Sequence, residues 1–151
     1  MKIEAMDPAD PRVRVLLGQS DAYMSALYPP QSNHLEDVAA LRLPNVYFVG
    51  ASLDTVIAAC GAVKTMDDDD KYGEIKRVFV ASDYRGRGLS TAIMQVLERH
   101  LTDHGVPLAR LETGVLQPEA LGLYRRLGYV QRPPFGRYQP DPLSVFMEKR
   151  L

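Results

Sequence analysis

Residues 85–90, with the sequence RGRGLS, place two arginines and two glycines between a strand-like run and a helix-like run. Glycine lets the backbone approach a ligand closely, and N–H groups that precede a helix favour an anion. The helix predicted to begin near Arg87 or Gly88 adds the positive end of its dipole, and the arginines add charge. The residues predicted to hold a pyrophosphate are therefore Arg85, Gly86, Arg87, Gly88, Leu89 and Ser90.

Three phosphate-binding patterns compete for this loop. A nucleotide triphosphate loop requires a lysine after its last glycine, and none follows Gly88. A dinucleotide loop requires a third glycine, where Thr91 stands, and an acidic ribose partner about 20 residues further on, which is not evident. The third pattern is Gln or Arg, two residues of any type, Gly, any residue, and Gly or Ala. Residues 85–90 match it with the small residue Ser90 in the last place. The alternative is a turn with solvated arginines, but the strand before the loop and the amphipathic helix after it favour an anion site.

Three other groups of residues invite a chemical interpretation. The aspartates at 67–70 lack the spaced ligands and the glycine of a calcium loop, so we interpret them as a solvated hairpin tip. Cys60 raises the possibility of a covalent cysteine intermediate, but its apolar surroundings in the sequence favour a buried structural thiol. His100 and His104 lie four residues apart without the HExxH pattern, which favours surface histidines. No metal site is predicted.

The elements that must position the loop belong to a chain of 151 residues, which favours one domain over residues 1–151. A net charge of -1 gives no reason to expect nucleic-acid binding. The acidic N-terminus lacks the apolar core of a signal peptide, no run reaches the ~20 apolar residues that span a bilayer, and a single cysteine excludes an internal disulfide. We therefore expect a cytoplasmic protein without a membrane partner.

Hydrophobic periodicity predicts mostly strands in the first half and a strand–helix–strand–helix order in the second. Short apolar, β-branched runs predict strands at 46–51, 56–63, 74–81, 108–115 and 143–147, with a weaker one at 2–6. Helical spacing predicts helices from residue 11, within 34–43, from residue 89 to before Gly105, and at 118–128. This order predicts an α/β or α+β fold with a mixed sheet.

Two segments at a fixed distance then resemble the GCN5-related N-acetyltransferase (GNAT) superfamily. Residues 73–100, GEIKRVFVASDYRGRGLSTAIMQVLERH, are similar to its acetyl-CoA motif. Residues 111–130, LETGVLQPEALGLYRRLGYV, are similar to its following strand and helix, where N-x-x-A-x-x-L-Y-x-x-x-G-F/Y is typical. Gln117 stands in the place of the asparagine of that pattern. The resemblance covers residues 74–129 and, more loosely, the whole chain.

The resemblance implies acetyl transfer from acetyl-CoA to an amine within one ternary complex. It implies the GNAT fold, with a central mixed, mostly antiparallel sheet flanked by about four helices. The pyrophosphate would meet the loop at 85–90, and Gln117 would lie at the cofactor. The backbone at the end of the preceding strand would hold the pantetheine arm and polarise the thioester carbonyl; these residues are Val78, Phe79 and Val80.

The resemblance also implies roles in proton transfer for two residues. Tyr124 matches the tyrosine that usually protonates the leaving thiolate; its alternative is a packed helical tyrosine. Glu74 stands eleven residues before Arg85, the offset at which histone acetyltransferases of the superfamily place their general base. The alternative for Glu74 is an ion pair with Lys76 or Arg77, and the sequence leaves both roles open.

The acceptor is expected to be a small-molecule amine, bound between the first helices and the C-terminal segment. In the superfamily the first two helices and their loop usually wall the acceptor pocket, which here points to Tyr28 and His34. In the C-terminal segment, Arg137 would suit the carboxylate of an amino-acid-like substrate. Two other functions stay open, namely a non-catalytic acyl-CoA sensor and a protein N-acetyltransferase. The chain is expected to act as a monomer or a homodimer.

Overall fold

The computed structural model describes residues 1–151, and its centre is one seven-stranded sheet. In chain order the strands are β1 (Lys2–Ala5), β2 (Val46–Leu53), β3 (Val56–Met66), β4 (Tyr72–Val80), β5 (Leu108–Gly114), β6 (Val130–Arg132) and β7 (Ser144–Arg150). Their order across the sheet is β1-β2-β3-β4-β5-β7-β6. Only β4 and β5 pair in parallel, so the sheet is mixed and mostly antiparallel, as predicted.

Four α-helices cover the two faces of this sheet. They are α1 (Pro11–Leu27), α2 (Val38–Leu41), α3 (Leu89–Asp103) and α4 (Pro118–Arg126). Helices α3 and α4 share one hydrophobic core with one face of the sheet, and α1 and α2 share a second, smaller core with the other face. No helix is long and apolar enough to cross a membrane.

The position and the ends of helix α3 follow from its own sequence. Its buried side chains recur every three to four residues, which forms an apolar stripe that faces the sheet; they are Leu89, Ile93, Met94, Leu97 and Leu101. The helix begins after Gly88, which has φ +76°, and it ends before Gly105, which has φ +70°. Because glycine adopts positive φ without the steric cost of a β-carbon, both ends are set locally.

The structure differs from the sequence prediction at the edges of these elements. The helix expected within 34–43 shrinks to the four residues of α2, and β6 was not predicted. β6 has only three residues and an exposed pattern, so it carries no alternation that the sequence would reveal. The aspartates at 67–70 do lie in the loop between two paired strands. Two of them also form ion pairs with the buried side chain of Arg110, which lies 3.0 Å from Asp69 and 3.9 Å from Asp70.

The parallel pair at the centre of the sheet is short. β4 and β5 are in register only from Gly73 with Ala109 to Ile75 with Leu111, although β4 runs on to Val80 and β5 to Gly114. The two strands therefore separate beyond this point and leave a gap in the sheet.

A β-bulge in β4 lies beside this gap. Phe79 pairs with Cys60 and Lys76 pairs with Ala62, so Arg77 and Val78 share one partner position on β3. Arg77 has φ +59°, which is costly for a residue with a β-carbon. Its guanidinium group donates to Asp21 Oδ1 at 2.6 Å and to the carbonyl of Leu17 at 3.3 Å, which ties the bulge to α1.

Candidate active site

A cavity of about 100 Å³ lies where β4 and β5 separate. Side chains from α1, the loop after it, β4, β5, α4 and the segment before β7 line it. Seven residues that the sequence singled out lie on its wall: Tyr28, His34, Glu74, Val78, Phe79, Gln117 and Tyr124. Val80 and the loop at 85–90 follow next along the chain, whereas Arg137 lies outside this cavity.

The glycine-rich loop has the backbone geometry that an anion requires. Gly86 and Gly88 both have positive φ, at +77° and +76°, and the loop residues from 85 to 88 are exposed. The first hydrogen bond of α3 runs from the N–H group of Ala92 to the carbonyl of Gly88, so the N–H groups before Ala92 in this turn have no acceptor within the chain. Such N–H groups at a helix start attract negative charge.

The arginines of the loop are held against aromatic rings. Arg85 donates from Nε to the carbonyl of Val80 at 3.3 Å, and its guanidinium group lies 5.2 Å from the ring of Tyr23 and 5.7 Å from that of Phe79. Arg87 lies 5.1 Å from the ring of Tyr84. These contacts keep positive charge beside the exposed turn.

The backbone of β4 presents hydrogen-bonding groups to the gap. The N–H group of Ala81 donates to the carbonyl of Ala58 on β3. Because successive residues of a strand point their N–H groups in opposite directions, that of Val80 points away from β3 and toward the gap. Beyond Ile75, β5 does not pair with these groups.

Tyr124 projects from α4 into the cavity. Its ring packs against that of Tyr129, with 5.9 Å between the centroids, and it belongs to the core on the α3 side of the sheet. Burial, followed by the charge of Glu112, raises the pKa of Tyr124 to about 12. The phenol therefore stays protonated at neutral pH, while its hydroxyl group is free of hydrogen bonds to other side chains.

Glu74 lies on the other face of the sheet in a closed network. Its Oε2 accepts from Lys76 Nζ at 3.1 Å and from the hydroxyl group of Tyr138 at 2.5 Å. Lys76 Nζ also lies 3.0 Å from Glu36. Burial alone would lower the pKa of Lys76, but the charge of Glu74 and the contact with Tyr138 outweigh it and raise this pKa. Of the two ion pairs considered for Glu74, the structure contains the one with Lys76.

Glu112 is a cavity residue that the sequence analysis missed. It is the first residue of β5 beyond the paired segment, it is half-buried, and its Oε2 accepts from Ser144 Oγ at 2.8 Å. Burial, with smaller contributions from Glu74 and Asp141, raises the pKa of Glu112 to about 7, while the bond from Ser144 and the charge of Lys76 oppose the rise. Nothing in the local sequence LETG marks this residue, because its surroundings come from distant segments.

Tyr28 closes the cavity near the start of α4. Its hydroxyl group donates to Gln117 Oε1 at 3.2 Å and accepts from the N–H group of Leu116 at 3.1 Å. The ring lies directly over Gly114, where a β-carbon would overlap it. Tyr28 and Gln117 thus form a fixed wall of the cavity.

The loop after α1 and the segment before β7 meet beside the cavity. Ser32 Oγ donates to Asp141 Oδ2 at 2.6 Å, and the ring of His34 packs edge-on against that of Tyr138 at 5.3 Å. Beyond them lies an open groove of about 1040 Å³, where Arg137 is exposed. Phe135, two residues before Arg137, is buried against other aromatic rings.

The other reactive side chains lie away from the cavity. Cys60 is fully buried, and burial raises the pKa of its thiol to about 12, so it stays protonated. His100 stacks on Tyr47 at 4.0 Å, and His104 contacts the carbonyl of His100 at 2.8 Å. No three His, Cys, Asp or Glu side chains are grouped so that they would hold a metal ion.

The comparisons with known proteins identify the family and agree with the fold. Residues 16–129 match the Acetyltransferase (GNAT) family. A protein from Azospirillum brasilense named IAA acetyltransferase is 40% identical over 144 residues, which are 95% of this chain and 94% of that protein. The chain therefore belongs to the GNAT family of N-acetyltransferases, as its paired motifs predicted, and it is an acyltransferase that uses acyl-CoA and an acceptor.

Two solved structures show the same architecture. A Klebsiella pneumoniae protein assigned as an acyl-CoA N-acyltransferase has a TM-score of 0.82 and 34% identity, with 99% of this chain and 97% of that one covered. The PaiA N-acetyltransferase from Thermoplasma acidophilum, solved in complex with coenzyme A, has a TM-score of 0.75 and 14% identity, with 100% of both chains covered. At that identity the second likeness concerns the fold, which confirms the predicted GNAT fold class.

Proposed function

We propose that the protein transfers an acetyl group from acetyl-CoA to the primary amine of a small, amino-acid-like molecule, by direct attack in a ternary complex. The observation that carries the proposal is the gap between β4 and β5, where residues from both faces of the sheet line one cavity. The glycine-rich loop lies directly after β4, and a protonated tyrosine faces the gap. The arrangement suits a cofactor that enters from one face and an acceptor that enters from the other.

The chain's own groups suit the successive parts of acetyl-CoA. The loop residues Arg85, Gly86, Arg87, Gly88, Leu89 and Ser90 would bind the pyrophosphate through their backbone and two guanidinium groups. The backbone of β4 from Val78 through Phe79 to Val80 would hold the pantetheine arm and polarise the thioester carbonyl. Gln117 would border the cofactor at the start of α4.

Tyr124 is the proposed proton donor for the leaving thiolate. The phenol is protonated at neutral pH, and Tyr124 lines the cavity. A hydrogen bond or a proton from it stabilises the sulfur as the C–S bond breaks. For Glu74, the network with Lys76 and Tyr138 supports a structural ion pair over a role as general base.

The acceptor would lie between the loop after α1 and the segment before β7. Tyr28 and His34 provide walls, and Arg137 in the adjoining groove provides a cation for a carboxylate. The groove carries charges of both signs, since five carboxylates line it together with Lys64, Lys76 and Arg137. This mixture favours a small zwitterionic acceptor over a protein one.

A turnover assay tests the proposal. Release of CoA would be measured for the purified chain with acetyl-CoA and a panel of amino acids, small amines and a lysine-rich peptide. The panel would also contain IAA, the compound in the name of the Azospirillum brasilense relative. Turnover with small amines supports the proposal, and preference for the peptide favours a protein N-acetyltransferase. Binding of acetyl-CoA without any turnover would assign the chain as a sensor and overturn the proposal.

A further inference from the structure

We propose that the catalytic proton acceptor of the reaction is Glu112, which takes a proton from the acceptor's ammonium group, and that Glu74 positions Lys76 and Tyr138 instead. This inference rests on the proposed function and assigns one step of it. It depends on the position of Glu112 beside the gap, on its hydrogen bonding and on the charges around it.

The position of Glu112 places its carboxylate on the acceptor side. Leu111 belongs to the core under α3, and side chains alternate along a strand, so Glu112 points to the opposite face. Ser144 on β7 also bonds to it on that face. Tyr124 projects from α4 on the α3 side, yet both residues line the same cavity. The proton acceptor and the proton donor therefore flank the gap from opposite faces.

The hydrogen bonding of the two glutamates differs. Glu74 Oε2 accepts from both Lys76 Nζ and the hydroxyl group of Tyr138, so this oxygen already has two donors. Glu112 accepts one bond, from a neutral serine hydroxyl group. A carboxylate with free acceptor capacity in the cavity is the better partner for an incoming ammonium group.

The charges around Glu112 set its protonation near neutral pH. The groups that face it are Glu74 and Lys76 on β4, Asp141 and Ser144 beside and on β7, Tyr124 on α4, and Tyr28 after α1. Burial and the two carboxylates outweigh the ammonium group of Lys76 and the hydroxyl group of Ser144, so the pKa is about 7. A general base is most effective when its pKa lies near the working pH.

The proton balance of the step is complete without any further reactant. The ammonium group gives one proton to the carboxylate of Glu112, which passes it to water. The neutral amine then forms the C–N bond to the thioester carbonyl carbon, and the C–S bond breaks. Tyr124 gives its proton to the thiolate, and the second proton that the nitrogen loses as the amide forms returns through solvent to the Tyr124 phenolate. One acetyl-CoA and one ammonium ion thus give one amide, one CoA thiol and one proton.

The test is the pH dependence of kcat, measured with saturating acetyl-CoA and the best amine of the panel. In the wild type, kcat should rise with pH and level off above about 7, as Glu112 ionises. In Glu112→Gln, kcat should fall roughly 100-fold at pH 7, and the plateau should be replaced by a rise toward the amine's own pKa of about 10. Glu112→Asp should restore part of the rate. Glu4→Gln, on the exposed edge strand β1, is the matched control with an unchanged profile.

Two neighbours of Glu112 should move the profile in opposite directions. Ser144→Ala removes the bond that lowers the pKa of Glu112, so the rise in kcat should shift to higher pH. Glu74→Gln removes a negative charge that raises this pKa, so the rise should persist but shift to lower pH. A merely structural Glu112 would leave the position of the rise unaffected by these changes.

Thermal unfolding provides a readout that does not depend on turnover. Folding raises the pKa of Glu112, so this residue contributes to the free energy of unfolding below about pH 4.5. That contribution is lost as the pH rises through about 7. The Tm of Glu112→Gln relative to wild type should therefore increase between pH 5 and pH 8.

The outcomes separate this proposal from the proposed function. An active wild type whose Glu112→Gln variant keeps both its rate and its plateau overturns the proposal and leaves the function standing. A plateau that disappears in Glu74→Gln but not in Glu112→Gln would assign the base to Glu74 and also overturn it. A wild type that releases no CoA with any amine overturns both.

Discussion

Replacing Tyr124 by phenylalanine removes one hydroxyl group and keeps the ring. The ring stays packed against Tyr129 and the core under α3, so the fold should tolerate the change. The pKa of this phenol is already raised to about 12, and no hydrogen bond within the chain contributes to that rise. The loss therefore leaves no partner unsatisfied, and stability and CoA affinity should change little.

The expected effect of Tyr124→Phe is on the chemical step alone. A positioned general acid contributes about 10²- to 10⁴-fold, and the lower limit suits a thiolate, which is a good leaving group even without a proton. A 100-fold fall in kcat corresponds to about 2.7 kcal/mol in the barrier. The assay is CoA release at saturating acetyl-CoA and amine, together with the Tm and the thermal shift caused by CoA.

Tyr129→Phe is the matched control because the hydroxyl group of Tyr129 is hydrogen-bonded within the fold and has no proposed role in the reaction. It donates to Glu98 Oε2 at 2.8 Å and lies away from the cavity lining. Loss of a hydrogen bond to a charged group costs about 1.5–3 kcal/mol, so this variant should lose Tm and keep kcat. If Tyr124→Phe retains kcat within about twofold, or ~0.4 kcal/mol, the thiolate leaves without this phenol and the reasoning is wrong.

Three further predictions concern binding and packing. Gly88→Glu should abolish the increase in Tm caused by acetyl-CoA, because a side chain and a negative charge would enter the turn; a shift of wild-type size would contradict the assignment of the loop. His34→Ala and Arg137→Ala should each raise the acceptor KM and leave CoA affinity unchanged, and unchanged acceptor kinetics in both would make these ordinary surface residues. Gly114→Ala should destabilise the fold by about 1–3 kcal/mol in denaturant unfolding, since the β-carbon would overlap the tyrosine ring above it. Gly18→Ala, on the open face of α1, should stabilise it by ~0.5–1 kcal/mol, and equal effects at the two glycines would refute the packing argument.

The parts of the site that the sequence predicted are those that local geometry determines. The turn at Gly86 and Gly88, the stripe of α3 and the strand before them depend on residues within one continuous segment. Their spacing was therefore sufficient to predict a glycine turn between a strand and an amphipathic helix. The ion pair between Glu74 and Lys76 is also local, because the two residues lie two positions apart on one strand.

The parts that the sequence did not predict depend on distant segments. Glu112 owes its environment to Ser144, 32 residues later, and to Lys76 across the gap. Tyr138 reaches Glu74 over 64 residues, so the network that engages this carboxylate was not visible in the strand itself. Such contacts become evident only when the order of the strands across the sheet is known.

The short pairing of β4 with β5 has a mechanical consequence. Three paired positions are the whole strand pairing between one half of the sheet, with four strands, and the other half, with three. The two halves are therefore joined by main-chain pairing at one end only. A ligand with amide groups that lies at the open end extends this pairing. Its hydrogen bonds to β4 and β5 link the two halves where the chain itself does not. Amide hydrogen exchange along the second half of β4 should therefore slow when such a ligand binds, while the joined end at residues 73–75 exchanges as before.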